Sequence, residues 1–216
     1  MTSVPHKLVY ALLAAPLLWL VPAFLHPMGD PYAGIADEAD MWIFVHVAQL
    51  VLMPFLAAGV WMLLDGLRSG AAWVARSALV LWLVFFSAFD AVAGIATGVL
   101  TRHANSLTGQ DQEGVVAAIE FLWADSLLAN GGFGVLGNLG HFSWVIVAVA
   151  ATVALHRAHA GRVVVAATLL SVLFASHSGL GAAAGLIALF VAELVTFRRR
   201  SSVATPQTTP APVLVS

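Results

Sequence analysis

Long apolar runs alternate with short polar breaks along this chain. Runs occupy 8–25, 41–64, 74–100 and 133–155, and a fifth stretches over 163–197. They are continuous and rich in Leu, Ala and Val, without the period-two alternation of a barrel strand, so each predicts a helix. The last run is too long for one crossing of a ~30 Å hydrocarbon core. Ser176-His177-Ser178-Gly179 in its middle is turn material, which divides it into 163–177 and 180–197. The expectation is an all-α polytopic bundle of six transmembrane helices, with five as the alternative if 163–197 is one tilted helix. No small-x-small cleavage site follows Phe24-Leu25-His26-Pro27, so the first run reads as a retained helix rather than a signal peptide.

The segments between the runs add two elements. In 110–130, Val115, Val116, Ile119, Leu122 and Trp123 recur near a 3.6 period against Glu113, Glu120 and Asp125. That pattern predicts an amphipathic helix on the surface or capping the bundle. Residues 201–216 carry Thr-Pro-Gln-Thr-Thr-Pro-Ala-Pro, a linker composition expected to be disordered. Residues 1–200 then form a single transmembrane domain.

Composition supports the membrane reading. The 216 residues are 61% hydrophobic and 9% charged, with mean hydropathy +0.94, far from the ~25% charged of a soluble domain. The net charge of −2 leaves no basic footprint for nucleic acid. Without cysteine there is no disulfide, thiolate nucleophile or Cys-ligated metal. Charge also orients the bundle. With six spans and a cytoplasmic N-terminus, Lys7, Arg68, Arg76, Arg157, Arg162 and Arg198 to Arg200 all fall inside, and of the nine Lys and Arg only Arg102 falls outside. The positive-inside rule then holds in every short loop, with both termini cytoplasmic. The Ala/Val/Leu-rich composition resembles that of small polytopic proteins of high-GC bacteria, which implies a multi-pass protein of the bacterial inner (plasma) membrane.

Against this background a few polar residues are costly to place. Asp90 lies within an apolar run, His46 and His141 lie inside two others, and His177 sits at the hairpin turn. At 1.5 Å per residue His46 and His141 lie roughly 8–12 Å, and Asp90 roughly 15 Å, below the outer boundary. His26 ends the first span on the same side. Each belongs to a helical stripe: Trp42, His46, Gln49 and Met53; Ser87, Asp90, Gly94, Thr97 and Thr101; Gly134, Asn138 and His141. Lipid does not hold such stripes cheaply, so they predict one exoplasm-facing polar pocket lined by Gln49, Ser87, Thr97 and Asn138 beside the ionisable groups.

Three readings of that pocket stay open. His46, Asp90, His141 and His177 are candidate ligands for zinc, copper or iron, or His46 and His141 for a single haem. The same groups would serve a transporter or small-ligand-binding protein that handles protons or solutes. Alternatively they lock helices together in a structural subunit. Gly94-x-x-x-Gly98 and Gly181-x-x-x-Gly185 are small-residue faces for packing, a homo-oligomer or a membrane partner. Trp19, Trp42, Trp61, Trp73, Trp123 and Trp144 read as an interfacial belt, Glu193 as a charge at the inner interface, and Asp40 as the N-cap of the second span. Substrate, and whether there is a reaction at all, are not written in these motifs.

Overall fold

The computed structural model describes residues 6–128 and 134–203, with side chains over 12–128 and 134–200. Helix α1 spans His6–Leu18 and α2 Leu20–Leu25. The break between them at Trp19 follows from Pro22, which has no N–H to donate to the carbonyl of Leu18. After a short 3₁₀ turn at Ala36–Glu38, α3 runs Ala39–Leu63. Helix α4 (Gly70–Phe89) opens on Ser69, whose Oγ accepts from the Ala72 amide at 3.3 Å, the usual way to satisfy a first-turn donor. It continues through a π-helical segment, Asp90–Ala96, into α5 (Thr97–Ala104). Helices α6 (Gly109–Ala124), α7 (Gly134–Arg157), α8 (Arg162–Leu170) and α9 (Gly179–Val203) complete the chain, with a 3₁₀ segment, Ser171–Ser176, extending α8.

Four helical stretches are long and apolar enough to cross a membrane: Ala36–Leu63, Gly70–Ala104, Gly134–Arg157 and Gly179–Arg200. That is the make-up of a multi-pass membrane protein. Two shorter apolar helices, Leu12–Leu25 and Arg162–Ser176, accompany them. The 163–197 run is thus two helices, turned at His177, whose φ of 47° is left-handed. The third run extends at both ends, to Gly70 and Ala104, because Ser69 caps it and Arg102 and His103 prolong its last turn. The expected helix in 110–130 is α6, and it caps one end of the bundle. Trp123 donates from Nε1 to Thr97 Oγ1 at 3.0 Å, and Gln112 reaches Tyr32 OH at 3.2 Å. The proposed tail beyond Val203, together with Phe133 at the start of the fourth run, lies outside the described residues.

Two apolar cores fill the bundle. One is aromatic: Trp82 packs on Trp144 with centroids 5.0 Å apart, Phe174 lies 4.9 Å from Trp144, and Trp19 lies 5.1 Å from Phe174. Trp144 also donates to the Ser171 carbonyl at 2.8 Å, tying α7 to the end of α8. The other core is small and aliphatic, built on Leu63, Leu64, Ala72, Ala75, Ala151 and Ala154. Beside it lies the arginine end. Arg76 donates to the carbonyls of Leu67 and Leu64 at 2.9 and 2.7 Å and lies over the rings of Trp61 and Trp73. Arg200 closes the same end on the carbonyls of Met62 and Asp65.

Several sequence expectations change here. Trp19, Trp42 and Trp144 are buried rather than interfacial, because aromatic rings supply the volume that this core needs. Trp61 and Trp73 keep exposed, belt-like positions, and Trp123 is half-buried. Glu193 is not an interface charge: it is fully buried against Gly59 of α3, the missing side chain of the glycine making room for its carboxyl. Asp40 does not cap α3, which begins one residue earlier; it pairs instead with Arg102 at 3.4 Å. Both small-residue faces are used internally. Gly94 and Gly98 admit His46, Trp42 and Ile43, and Gly185 admits the backbone of Phe174.

Candidate functional site

Four histidines meet at the end of the bundle opposite the arginines. His46 follows Trp42 by one helical turn, and its Nδ1 lies 2.7 Å from the Trp42 carbonyl; His141 repeats the bond to Gly137 at 2.5 Å. His26, just beyond α2, places Nδ1 2.7 Å from the Pro27 carbonyl. A carbonyl only accepts, so each of these three Nδ1 atoms carries the proton and each Nε2 presents a lone pair. The fourth ring, His177, is supplied by the left-handed turn before α9.

The rings touch edge to face. Centroids are 4.9 Å apart for His26 and His46, 5.3 Å for His26 and His177, and 5.4 Å for His141 and His177. His141 Nε2 lies 3.3 Å from His177 Nδ1. Trp42 packs on His26 and His46, and Phe86 on His141 and His177, so aromatic walls hold the cluster on both sides. Nε2 of His26 is buried with no hydrogen-bond partner. Burial pushes His26 below the ordinary imidazole value of 6.5, its Pro27 bond opposing in part. Burial pushes His177 further down, helped by the neighbouring His26, His141 and His46. As the rings stand, no three His, Asp or Glu side chains among the described residues converge on one point that would hold a metal ion.

A second polar level lies deeper. Helix α3 and the Gly70–Ala104 rod run antiparallel in a register fixed by two sets of contacts. Towards the histidine end, Trp42 donates to the Gly94 carbonyl at 2.8 Å and Gly94 lies under the His46 ring. Deeper, Ser87 Oγ lies 3.2 Å from Met53 Sδ. Between these contacts fall Asp90 on one helix and Gln49 on the other, 1% and 0% exposed. Both amide atoms of Gln49 and Oδ2 of Asp90 lack hydrogen-bond partners, an expensive arrangement for buried polar atoms. Asp90 also opens the π-helical segment, and such widened turns are frequent at functional sites.

The cluster has a mouth. A cavity of about 620 Å³ at this end is lined by His26, Asp37, Glu38, Asp40, Arg102 and Asn105, among others. His26 links it to the rings behind.

The candidate residues therefore separate into groups. His46, His141 and His177 come together, and Asp90 lies one level below them beside Gln49. Thr97 is buried but is occupied by Trp123 and the Val92 carbonyl. Ser87 is half-buried on Met53. Asn138 is exposed and bonds back to the Gly134 carbonyl of its own helix, so it does not line the pocket. His26 is absent from the ligand set expected from sequence, although its place at the end of the first run is the signal that includes it. Trp42 is likewise a wall of the site rather than a belt residue. No protein-family model, curated protein or solved structure matches this chain.

Proposed function

We propose that the histidine end is a transition-metal-binding site, with Nε2 of His26, His46, His141 and a nitrogen of His177 as its ligands. One observation carries this reading: three histidines from separate segments each place Nδ1 on a backbone carbonyl, which makes Nε2 the ligating nitrogen of the neutral ring. Ligating histidines are oriented by that kind of bond. Binding an ion would require the rings to rotate so that their lone pairs meet, since they do not converge as they stand. An all-imidazole set suits zinc, copper or iron. An ion fits better than a haem, because rings in edge-to-face contact leave no slot for a macrocycle between them. Asp90 and Gln49 would lie below the ion and stabilise its charge without ligating it.

The reading includes six spans, with the two shorter apolar helices inserted, in the plasma membrane. The distribution of Lys and Arg favours cytoplasmic termini and an exoplasmic histidine end. A second reading, proton or solute handling, is favoured by the His141–His177 contact and the unpartnered Asp90 carboxyl.

The test is elemental analysis of purified full-length protein dialysed against zinc, copper(II) or iron(II). Near-stoichiometric retention is expected, lost in the His46→Ala/His141→Ala double variant while helical content is unchanged. Wild-type protein that retains no metal overturns the metal reading and leaves proton handling. Since the chain has no cysteine, Thr108→Cys and Ala158→Cys, both at exposed positions, report orientation. An impermeant maleimide should label the first in intact cells and not the second.

A further inference from the structure

Beside the mouth of the histidine cluster, on the lipid side of α3, lies a second cavity of about 570 Å³. It is lined by Leu18, Ile43, Phe44, Val47, Val51 and Leu52, and is closed at its upper rim by Asp40 and Arg102. Those same two residues line the polar mouth. The two cavities therefore share one rim, with an apolar trough on one side and carboxylates and His26 on the other. Leu18, Phe44, Val47 and Val51 are exposed, as befits residues that face acyl chains.

The charged residues belong to the rim and the mouth, not to the trough. Arg102 stands at the rim, 59% exposed and held only by its 3.4 Å contact with Asp40. Of the nine Lys and Arg it is the one placed at this end; the other eight flank the opposite end or begin α1. Asp37 and Glu38 line the mouth with Arg102. The trough is apolar, the rim it shares with the mouth holds Arg102 paired with Asp40, and the mouth adds two further carboxylates. A phospholipid with an amine in its headgroup carries the complementary groups: acyl chain, phosphate, ammonium. Arginine is well suited to phosphate, and carboxylates to an ammonium with free N–H groups.

We propose that this composite cavity binds one phospholipid with a phosphate–amine zwitterionic headgroup. Its chain lies in the trough along Phe44, Val47 and Val51, its phosphate on Arg102, and its ammonium among Asp37, Glu38 and Asp40. The headgroup then sits against His26, at the threshold of the histidine cluster. The proposal does not depend on a metal: the cavities and their charges are present whether or not the cluster is loaded.

Native mass spectrometry of the full-length protein in detergent, titrated with defined lipids, tests it. Phosphatidylethanolamine should bind one to one and at least about tenfold more tightly than phosphatidylglycerol or diacylglycerol, the loss expected for one charge-assisted contact. Arg102→Ala should weaken phosphatidylethanolamine by about tenfold, and Val47→Trp, which fills the trough, by as much. Both positions are exposed, so unchanged thermal midpoints should accompany these losses. Equal binding of phosphatidylglycerol overturns the proposal, as does indifference to Arg102→Ala or Val47→Trp. Glycerophosphoethanolamine, which has the headgroup without chains, binding as tightly as the lipid would overturn the trough's part in it.

Discussion

At the histidine end the core is made of large rings, Trp19, Trp82, Phe86, Trp144 and Phe174; at the arginine end it is made of Leu and closely packed Ala. The polar atoms differ in the same sense. Arg76 spends its guanidinium on two helix-terminal carbonyls and two indole faces, and Arg200 does the same work on the end of α3. These bonds fasten helix ends whose carbonyls have no partner within the helix. At the histidine end, Nε2 of His26, the amide of Gln49 and one oxygen of Asp90 are buried and unmatched. Among the described residues the arginine end leaves only the Glu193 carboxyl unmatched, whereas the histidine end leaves several polar atoms unmatched inside an aromatic frame.

The comparison breaks first if the aromatic frame is not what holds the histidine end. Trp144→Ala removes a fully buried indole and its bond to Ser171. It should cost about 3–5 kcal/mol, read as thermal unfolding in detergent, and should also disorder His141 and His177. A loss below about 1 kcal/mol would mean that the frame is slack.

Two glycines then compare the ends directly. A methyl at Gly94 overlaps Cβ and Cγ of His46, atoms close to the backbone of α3, whereas one at Gly59 meets the far end of the Glu193 side chain. Gly94→Ala should therefore cost about 1–3 kcal/mol of overpacking, and Gly59→Ala less. The reverse order would show that Glu193, not His46, is the more rigidly held. Glu193→Leu removes two unpartnered buried oxygens and should raise stability by about 1–3 kcal/mol. A fall instead would reveal that the carboxyl has work to do at the arginine end.

The smallest expected effect is a gradient with pH in metal-free protein. His26 and His177 have folded values below the ordinary 6.5. The unfolded chain then binds protons that the native state refuses as pH falls through 6.5, so stability is complete above that value and declines below it. His177→Asn, which also tolerates the left-handed turn, should flatten the slope of thermal midpoint against pH between 7.5 and 5.5. A wild-type slope of zero in that window would contradict the burial of these rings.

Helices and their polar faces were legible in the sequence because lipid demands long apolar runs and penalises misplaced charge. Asp90 and Gln49 could be found that way, since a stripe at i, i+3 and i+7 has one direction to face. The turn at His177 was legible from Gly and Ser beside it. What the pattern could not carry were relations across helices. Trp42 reads as a belt residue until its indole is seen on the Gly94 carbonyl, and Glu193 as an interface charge until Gly59 is found opposite it. Asn138 fails for a local reason: its amide bonds back to the carbonyl four residues earlier and leaves the pocket face. Periodicity gives the direction of a side chain, but its partner depends on the register of a neighbour.

His177 has a consequence for biogenesis. The residue that turns α8 into α9 is also the ring that joins His26 to His141. A nascent chain with α1 to α7 already in place has three of the four imidazoles but lacks the one bridging them. The cluster is completed only when the α8–α9 hairpin docks on the helices made before it. Assembly of the site therefore records that the α8–α9 hairpin has joined α1 to α7.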